Sequence, residues 1–283
     1  MTKQISNGVN LELIKSILKE NENTTSVFKR NVIKEYFQIL ALSFIYSHKK
    51  YQGLIFYGGS CLKHCFGLPR LSEDLDFVDL TGKIDLSALA VDLKIFFEKE
   101  IGTEPISKAQ KFRVYLKFPI LRQLNLADGS ESDLLNIKVE IFKKFDFCEN
   151  YKIETVPIFK SGKSILVRVF DMSSLMSTKM RAVLSRKWEK TDKMGNKLAT
   201  VKGRDYFDLM WYFEKGIKPN LNCIDGGKLS VEDLKNKLLG IIESVDEKSI
   251  AFDLESLISD QVFVKNLAKN IKNILIKQIK EKL

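Results

Sequence analysis

The stretch FYGGSCLKHCFGLPRLSEDLDFVDL, residues 56–80, sets two glycines and a serine directly after an apolar strand, then places Asp74 and Asp76 inside a second apolar strand. Side chains two apart on a strand point the same way. Asp74 and Asp76 therefore share one face, while Leu75 and Phe77 turn to the core. Neighbouring carboxylates repel unless a proton or a cation sits between them. Hard oxygen ligands of this kind suit Mg²⁺, which takes one or two carboxylates and completes its shell with water and phosphate oxygens. On a solvent-facing edge strand the same pair would simply be hydrated, but the preceding turn weighs against that. Glycines after a strand let the backbone approach a ligand, and the N-terminus of a following helix, CLKHCF, offers free N–H groups to phosphate. Gly58, Gly59 and the Ser60 hydroxyl are the candidate phosphate-binding groups.

The chain has 283 residues, enough to bury a sizeable core without covalent staples. Its four cysteines, Cys61, Cys65, Cys148 and Cys223, show no paired C-x-x-C spacing, and there are only two histidines. A zinc site is not expected, and the cysteines read as buried or free thiols of a reducing compartment. The N-terminus lacks the pattern of a signal peptide, and FQILALSFIYS is too short to span a bilayer. A cytoplasmic protein with no membrane partner is expected. The net charge is +10. It is concentrated between Ser177 and Arg204, where nine Lys or Arg stand against two acids. Such density favours a polyanionic partner, a nucleotide or nucleic acid. Six further lysines in the last 22 residues read as a solvated surface.

Periodicity predicts amphipathic helices over 8–21 and 26–48, and strands in GLIFY, DLDFV, RVYLKFPIL, NIKVEIF and SILVRVF. RVYLKF puts Val114, Leu116 and Phe118 on one face and Arg113, Tyr115 and Lys117 on the other. After Asp171, a plausible N-cap, helices are expected near 172–188, 203–215, 229–243 and 262–281, so that the second half is all helix. KTDKMGNK and KPNLNCIDGG read as loops. The expected organisation is a mixed domain over 1–170 and a helical domain over 171–283.

The interval from Gly59-Ser60 to Asp74-Leu75-Asp76 resembles the nucleotidyltransferase superfamily. The fuller string GGSCLKHCFGLPRLSEDLDF is similar to the AbiEii/AbiGii-type toxins of bacterial toxin–antitoxin and abortive-infection systems, with Arg70, Ser72, Asp74, Asp76 and Phe77 in register with their signature. The resemblance implies an α+β fold: an N-terminal nucleotidyltransferase-type mixed sheet flanked by helices, then a C-terminal helical bundle. It also implies a third acid on a later strand. Glu140 fits, on the polar face opposite Ile137, Val139 and Ile141, whereas Asp128, Asp133 and Asp146 fall in loop-like or poorly phased positions.

In the helix after Asp171, Lys179 and Arg186 fall on the stripe marked by Leu175, Ala182 and Val183. Charges on such a stripe need partners or must snorkel to water. The family carries Lys, Ala and Arg at this spacing, matched by Lys179, Ala182 and Arg186, which implies a cleft where a triphosphate supplies the counter-charge. Its last motif, a basic residue before Asp-x-x-Asp, is matched by Arg204, Asp205 and Asp208. Asp205 is the favoured site residue; Asp208 could equally complement the helix dipole.

The implied reaction moves a nucleoside monophosphate from an NTP to an RNA hydroxyl, at a tRNA 3′ end, in a toxin countered by an antitoxin protein. Two Mg²⁺ would be held by Asp74, Asp76 and Glu140. Gly58, Gly59, Ser60, Arg70, Ser72, Lys179, Arg186 and Arg204 would handle the nucleotide, with Lys179 and Asp205 also counted in the catalytic set. A degenerate fold that binds RNA or protein without chemistry, and a small-molecule nucleotidyltransferase of the antibiotic-modifying kind, are the competing readings. The net positive charge disfavours the second.

Overall fold

The computed structural model describes residues 3–127 and 133–283; Asp128 lies outside them. The chain opens with α1 (Lys3–Glu20) and α2 (Ser26–Ser47), the latter started by Thr25, whose hydroxyl accepts the Phe28 N–H. Strand β1 (Ile55–Tyr57) runs into α3 (Gly58–Phe66), followed by β2 (Asp74–Val78) and α4 (Leu86–Ile101), which Asp85 caps. Then come β3 (Ile106–Gln110), β4 (Arg113–Phe118), β5 (Leu135–Phe142), β6 (Ile153–Lys160) and β7 (Lys163–Phe170). Asp171 caps α5 (Met172–Ser185), as its sequence context predicts. A small hairpin, β8 (Lys190–Thr191) and β9 (Lys197–Ala199), precedes α6 (Gly203–Glu214), α7 (Val231–Glu243), α8 (Glu247–Leu254) and α9 (Gln261–Lys282).

The chain divides into two compact units, each with its own core. The first holds residues 1–67, 71–144 and 155–169; the second holds 68–70, 145–154 and 170–283. Seven strands form a mixed sheet in the order β3-β4-β5-β2-β1-β7-β6. β2 pairs antiparallel with β1 and parallel with β5, and β1 pairs parallel with β7. Strand alternation buries Val114, Leu116, Phe118, Ile137 and Val139 on one face. There Phe118 meets Phe37 of α2 and Phe97 of α4, with ring centroids 4.7 and 5.0 Å apart. Helices thus cover this face, and the other is left polar.

In the second unit α5, α6, α7, α8 and α9 pack on one another around Tyr212, Phe213, Leu238 and Ile279, all buried. Phe145 stacks on Phe170 at 4.1 Å between centroids. The sequence KTDKMGNK, expected as a loop, closes the β8–β9 hairpin, so the second half is not purely helical. Asp192 makes the turn by accepting backbone N–H groups of Met194 and Asn196 at 2.8 and 2.9 Å. Helices α4 and α8 and strands β3 and β6 were not predicted. β3 alternates with polar residues on an edge, and α8 is only eight residues long. The expectation of free thiols also needs correction: Cys148 and Cys223 are joined in a disulfide across 75 residues, while Cys61 and Cys65 are free.

Candidate active site

The acidic cluster is built by strand register. Tyr57 at the end of β1 faces Asp76 of β2, and Asp76 in turn faces Glu140 of β5. Asp74, two residues earlier, faces Lys138. The three predicted acids therefore lie on one face of adjacent strands, while Leu75 and Phe77 are wholly buried behind them. Gly58 makes the turn into α3 at φ +77°, and its bare Cα lies against the Asp76 carboxylate; a Cβ there would collide with it. Glycine is required at that position both by the backbone and by the acid.

Two cations balance the acids. Arg113, directly across the ladder from Glu140, reaches its Oε1 with Nε at 2.6 Å, and Lys138 Nζ lies 3.2 Å from Asp74 Oδ1. Burial raises the Glu140 pKa, and the nearby Asp74 raises it further, against the opposing pull of Arg113 and Lys138. The Tyr57 hydroxyl is likewise held protonated by burial and by Asp76 and Glu140. Among the described residues no three acidic, histidine or cysteine side chains converge closely enough to enclose a metal ion as they stand. The donor set nevertheless suits a hard divalent cation: carboxylates on one face, with the Glu140 pKa raised first by burial and then by Asp74.

The glycine turn departs from expectation at its serine. Ser60 is buried, and its hydroxyl donates to the Asp74 carbonyl, tying the start of α3 to β2. That bond accounts for the hydroxyl without a phosphate. Ser72 is buried too, and its carbonyl accepts from Gln38 Nε2 at 2.9 Å. Gly58 and Gly59 open α3, and no side chain caps its first-turn N–H groups.

In the second unit the basic motif finds its counter-charge inside the protein. Lys179 Nζ lies 2.8 Å from both Asp205 Oδ1 and Asp208 Oδ2. Arg186 also pairs with Asp205. Arg70 meets Asp208 through two parallel bonds of 2.6 Å, Nε to Oδ1 and Nη2 to Oδ2. Burial would push the Asp205 carboxyl up, but Lys179 and Arg186 outweigh it and hold it low. Burial would pull Lys179 down, and Asp205 with Asp208 holds it up. The acids of α6 supply counter-charge to both cations of the stripe. Asp208, left open between a site role and a helix-dipole role, is fully buried among them. Arg204 is engaged elsewhere, its Nη2 3.0 Å from Asp253 Oδ1.

Arg113 and Lys138 were not singled out beforehand. The alternation of RVYLKF and NIKVEIF placed both on polar faces, but only the register shows that they meet the acids. Asp253 carried no signal, because α8 was not predicted.

A profile of the family described as nucleotidyl transferase AbiEii toxin, type IV toxin–antitoxin system, matches residues 43–279. The mixed sheet with its acidic face is that of a nucleotidyltransferase-type domain. The chain belongs to the AbiEii nucleotidyltransferase toxin family. Two solved structures from Helicobacter pylori are among those the chain is similar to. JHP933 shares 16% identity at a TM-score of 0.43, covering 88% of this chain and 94% of its own. A protein described as a nucleotidyltransferase candidate shares 15% at 0.45, covering 88% and 96%. Neither carries the assignment. A search of curated proteins gave no match. No helix among the described residues is long and apolar enough to cross a membrane.

Proposed function

We propose that the protein transfers a nucleoside monophosphate from an NTP to the 3′-terminal hydroxyl of an RNA, a tRNA, and acts as a toxin held in check by an antitoxin protein. The observation that carries this reading is the register that sets Asp76 beside Glu140, with Asp74 on the same face, next to the uncapped start of α3. Asp74, Asp76 and Glu140 are the residues that would hold Mg²⁺, two ions in all. When bound, Mg²⁺ supplies positive charge to the phosphate oxygens.

The remaining chemistry belongs to the chain. The acceptor hydroxyl oxygen attacks the α-phosphorus, the bond from that phosphorus to the bridging oxygen of the β-phosphate breaks, and pyrophosphate leaves with that oxygen. Glu140, protonated more readily than an ordinary carboxylate, takes the hydroxyl proton. The N–H groups at Gly59 and beyond orient the phosphates. Lys187, Lys190, Lys193 and Lys197 of the basic segment are exposed and suit an RNA backbone. Lys179, Arg186, Arg204, Arg70 and Asp205 form ion pairs within the second unit.

The test is incubation of purified protein with Mg²⁺, total tRNA and each labelled NTP in turn. Labelled tRNA is expected with at least one nucleotide, and Asp76→Asn should lower the rate by roughly 10²-fold or more. Full transfer by Asp76→Asn overturns the mechanism. RNA binding with no labelling by any nucleotide leaves a binding module, and labelling of an aminoglycoside alone leaves a small-molecule enzyme.

A further inference from the structure

The polar face of the sheet does not end at the acids. Register extends it across β4 to the edge strand β3 in three rows. The first runs Asp76, Glu140, Arg113, Gln110; the second Asp74, Lys138, Tyr115, Lys108; the third Asn136, Lys117, Ile106. Helices α2 and α4 of the same unit pack on the opposite face, against Phe118. The side chains beyond the acids line an open hollow of about 380 Å³ formed by Lys108, Gln110, Tyr115, Lys117, Asn136 and Lys138. That size lies within the range of small-ligand pockets, about 300–1,000 Å³. Its lining holds three lysines, one aromatic ring, two amide side chains and no carboxylate.

Lysines on a sheet edge often serve only to block edge-to-edge pairing. Here that account covers Lys108 alone. Lys117 and Lys138 stand on interior strands, where blocking is not needed. A central tyrosine flanked by lysines on a bare sheet is instead the arrangement on which single-stranded bases stack while the cations follow the phosphates.

Direction along the sheet says which strand of the reaction lies there. Asp76 sits between β1, whose end opens into α3, and β5, from which the hollow extends toward β3. The phosphate-facing helix start is thus on one side of the acids and the hollow on the other. In an in-line displacement the nucleophile and the leaving group occupy opposite sides of the phosphorus. With pyrophosphate leaving toward α3, the attacking hydroxyl arrives from the hollow.

We infer that the Tyr115 hollow is the seat of the acceptor's single-stranded 3′ end, with a base on the Tyr115 ring and its phosphates near Lys108 and Lys117. This deepens the proposed transfer reaction and rests on it for the identity of the acceptor. Arg113 sits between Tyr115 and Glu140 on β4's face, so a base on the ring holds its ribose near the acid that takes the proton.

The test separates binding from chemistry. A fluorescein-labelled short single-stranded RNA ending in CCA is titrated with the full-length protein and followed by anisotropy. Tyr115→Ala is expected to weaken binding about tenfold or more, with Tyr115→Trp near wild type. Lys117→Ala should lower the slope of log affinity against log salt by about 0.7. In the transfer assay Tyr115→Ala should raise the KM for tRNA and leave the KM for NTP unchanged. Thermal melting confirms folded variants, and Tyr115→Phe keeps the ring if Tyr115→Ala does not fold. Unchanged RNA affinity in Tyr115→Ala, no binding of the RNA by wild type, or a rise in the NTP KM alone would each overturn the assignment. If wild type binds the RNA through Tyr115 but transfers nothing from any NTP, the transfer reading fails and the binding site stands.

Discussion

The guanidinium of Arg70 and the carboxylate of Asp208, 138 residues apart, are joined by two parallel hydrogen bonds and are both shut off from solvent. Removing one member of such a pair strands a charge in a poor dielectric, which costs about 3–5 kcal/mol. Arg70→Met is therefore expected to destabilise the second unit by that amount in urea denaturation. Arg70→Met with Asp208→Leu should recover most of the loss, since no stranded charge then remains. A double variant as unstable as the sum of its parts would show that the pair is not an isolated unit.

Gly58 and Gly67 separate backbone strain from crowding. Both have φ near +75°, but a Cβ at Gly67 meets nothing, while one at Gly58 runs into Asp76. Gly67→Ala should cost about 1–2 kcal/mol, the left-handed penalty alone. Gly58→Ala should cost more and also displace the Asp76 carboxylate, so that transfer falls while Gly67→Ala keeps it. Melting curves and the transfer assay together read this out, and equal effects of the two substitutions would contradict it.

Glu140 gives a pH signature. Its folded pKa lies above its ordinary 4.5, so protonation favours the folded state. This group's contribution to stability is greatest below 4.5 and declines as pH rises through the raised value. The Mg²⁺ binding proposed above would have the opposite sense, because the cation competes with the proton and gains as the carboxyl ionises. Arg113→Ala removes a guanidinium that lowers this pKa and should shift the titration upward. Carbon-13 NMR of the carboxyl follows both, and a Glu140 that titrates at or below 4.5 would refute the assignment.

The disulfide closes a loop of 75 residues. By loop-closure entropy it contributes about 4 kcal/mol. Treatment with dithiothreitol should lower the melting temperature, and Cys148→Ser with Cys223→Ser should reproduce the effect and no longer respond to reductant. Four reactive thiols in unfolded, unreduced protein would mean that the bond does not form.

Asp74 and Asp76 were legible because strand alternation is local: five residues sufficed to set both on one face. Glu140 was legible in phase, but its place opposite Asp76 depends on β5 lying beside β2, which no nearby residue announces. Lys179 and Arg186 show the converse. Their presence on an apolar stripe was correctly seen as a demand for counter-charge, but local periodicity cannot say whether a ligand or another helix meets it. Asp205 and Asp208 meet it from α6. Ser60 is a candidate phosphate-binding hydroxyl by its place in the turn, and its burial follows from the approach of the Asp74 carbonyl, which its hydroxyl reaches. Helix α4 was missed although Asp85 caps it and Gly102 ends it, both ordinary boundary signals.

The parallel pairing of β2 with β5 has a consequence for the order in which this protein is made. A growing chain exposes both aspartates long before residue 135 has been synthesised, and the glutamate takes its place only when β5 slots in between β4 and β2. Fragments that end earlier hold an incomplete set of acids. If the proposed transfer holds, a nascent chain of this layout lacks the complete acid set throughout the first half of its translation.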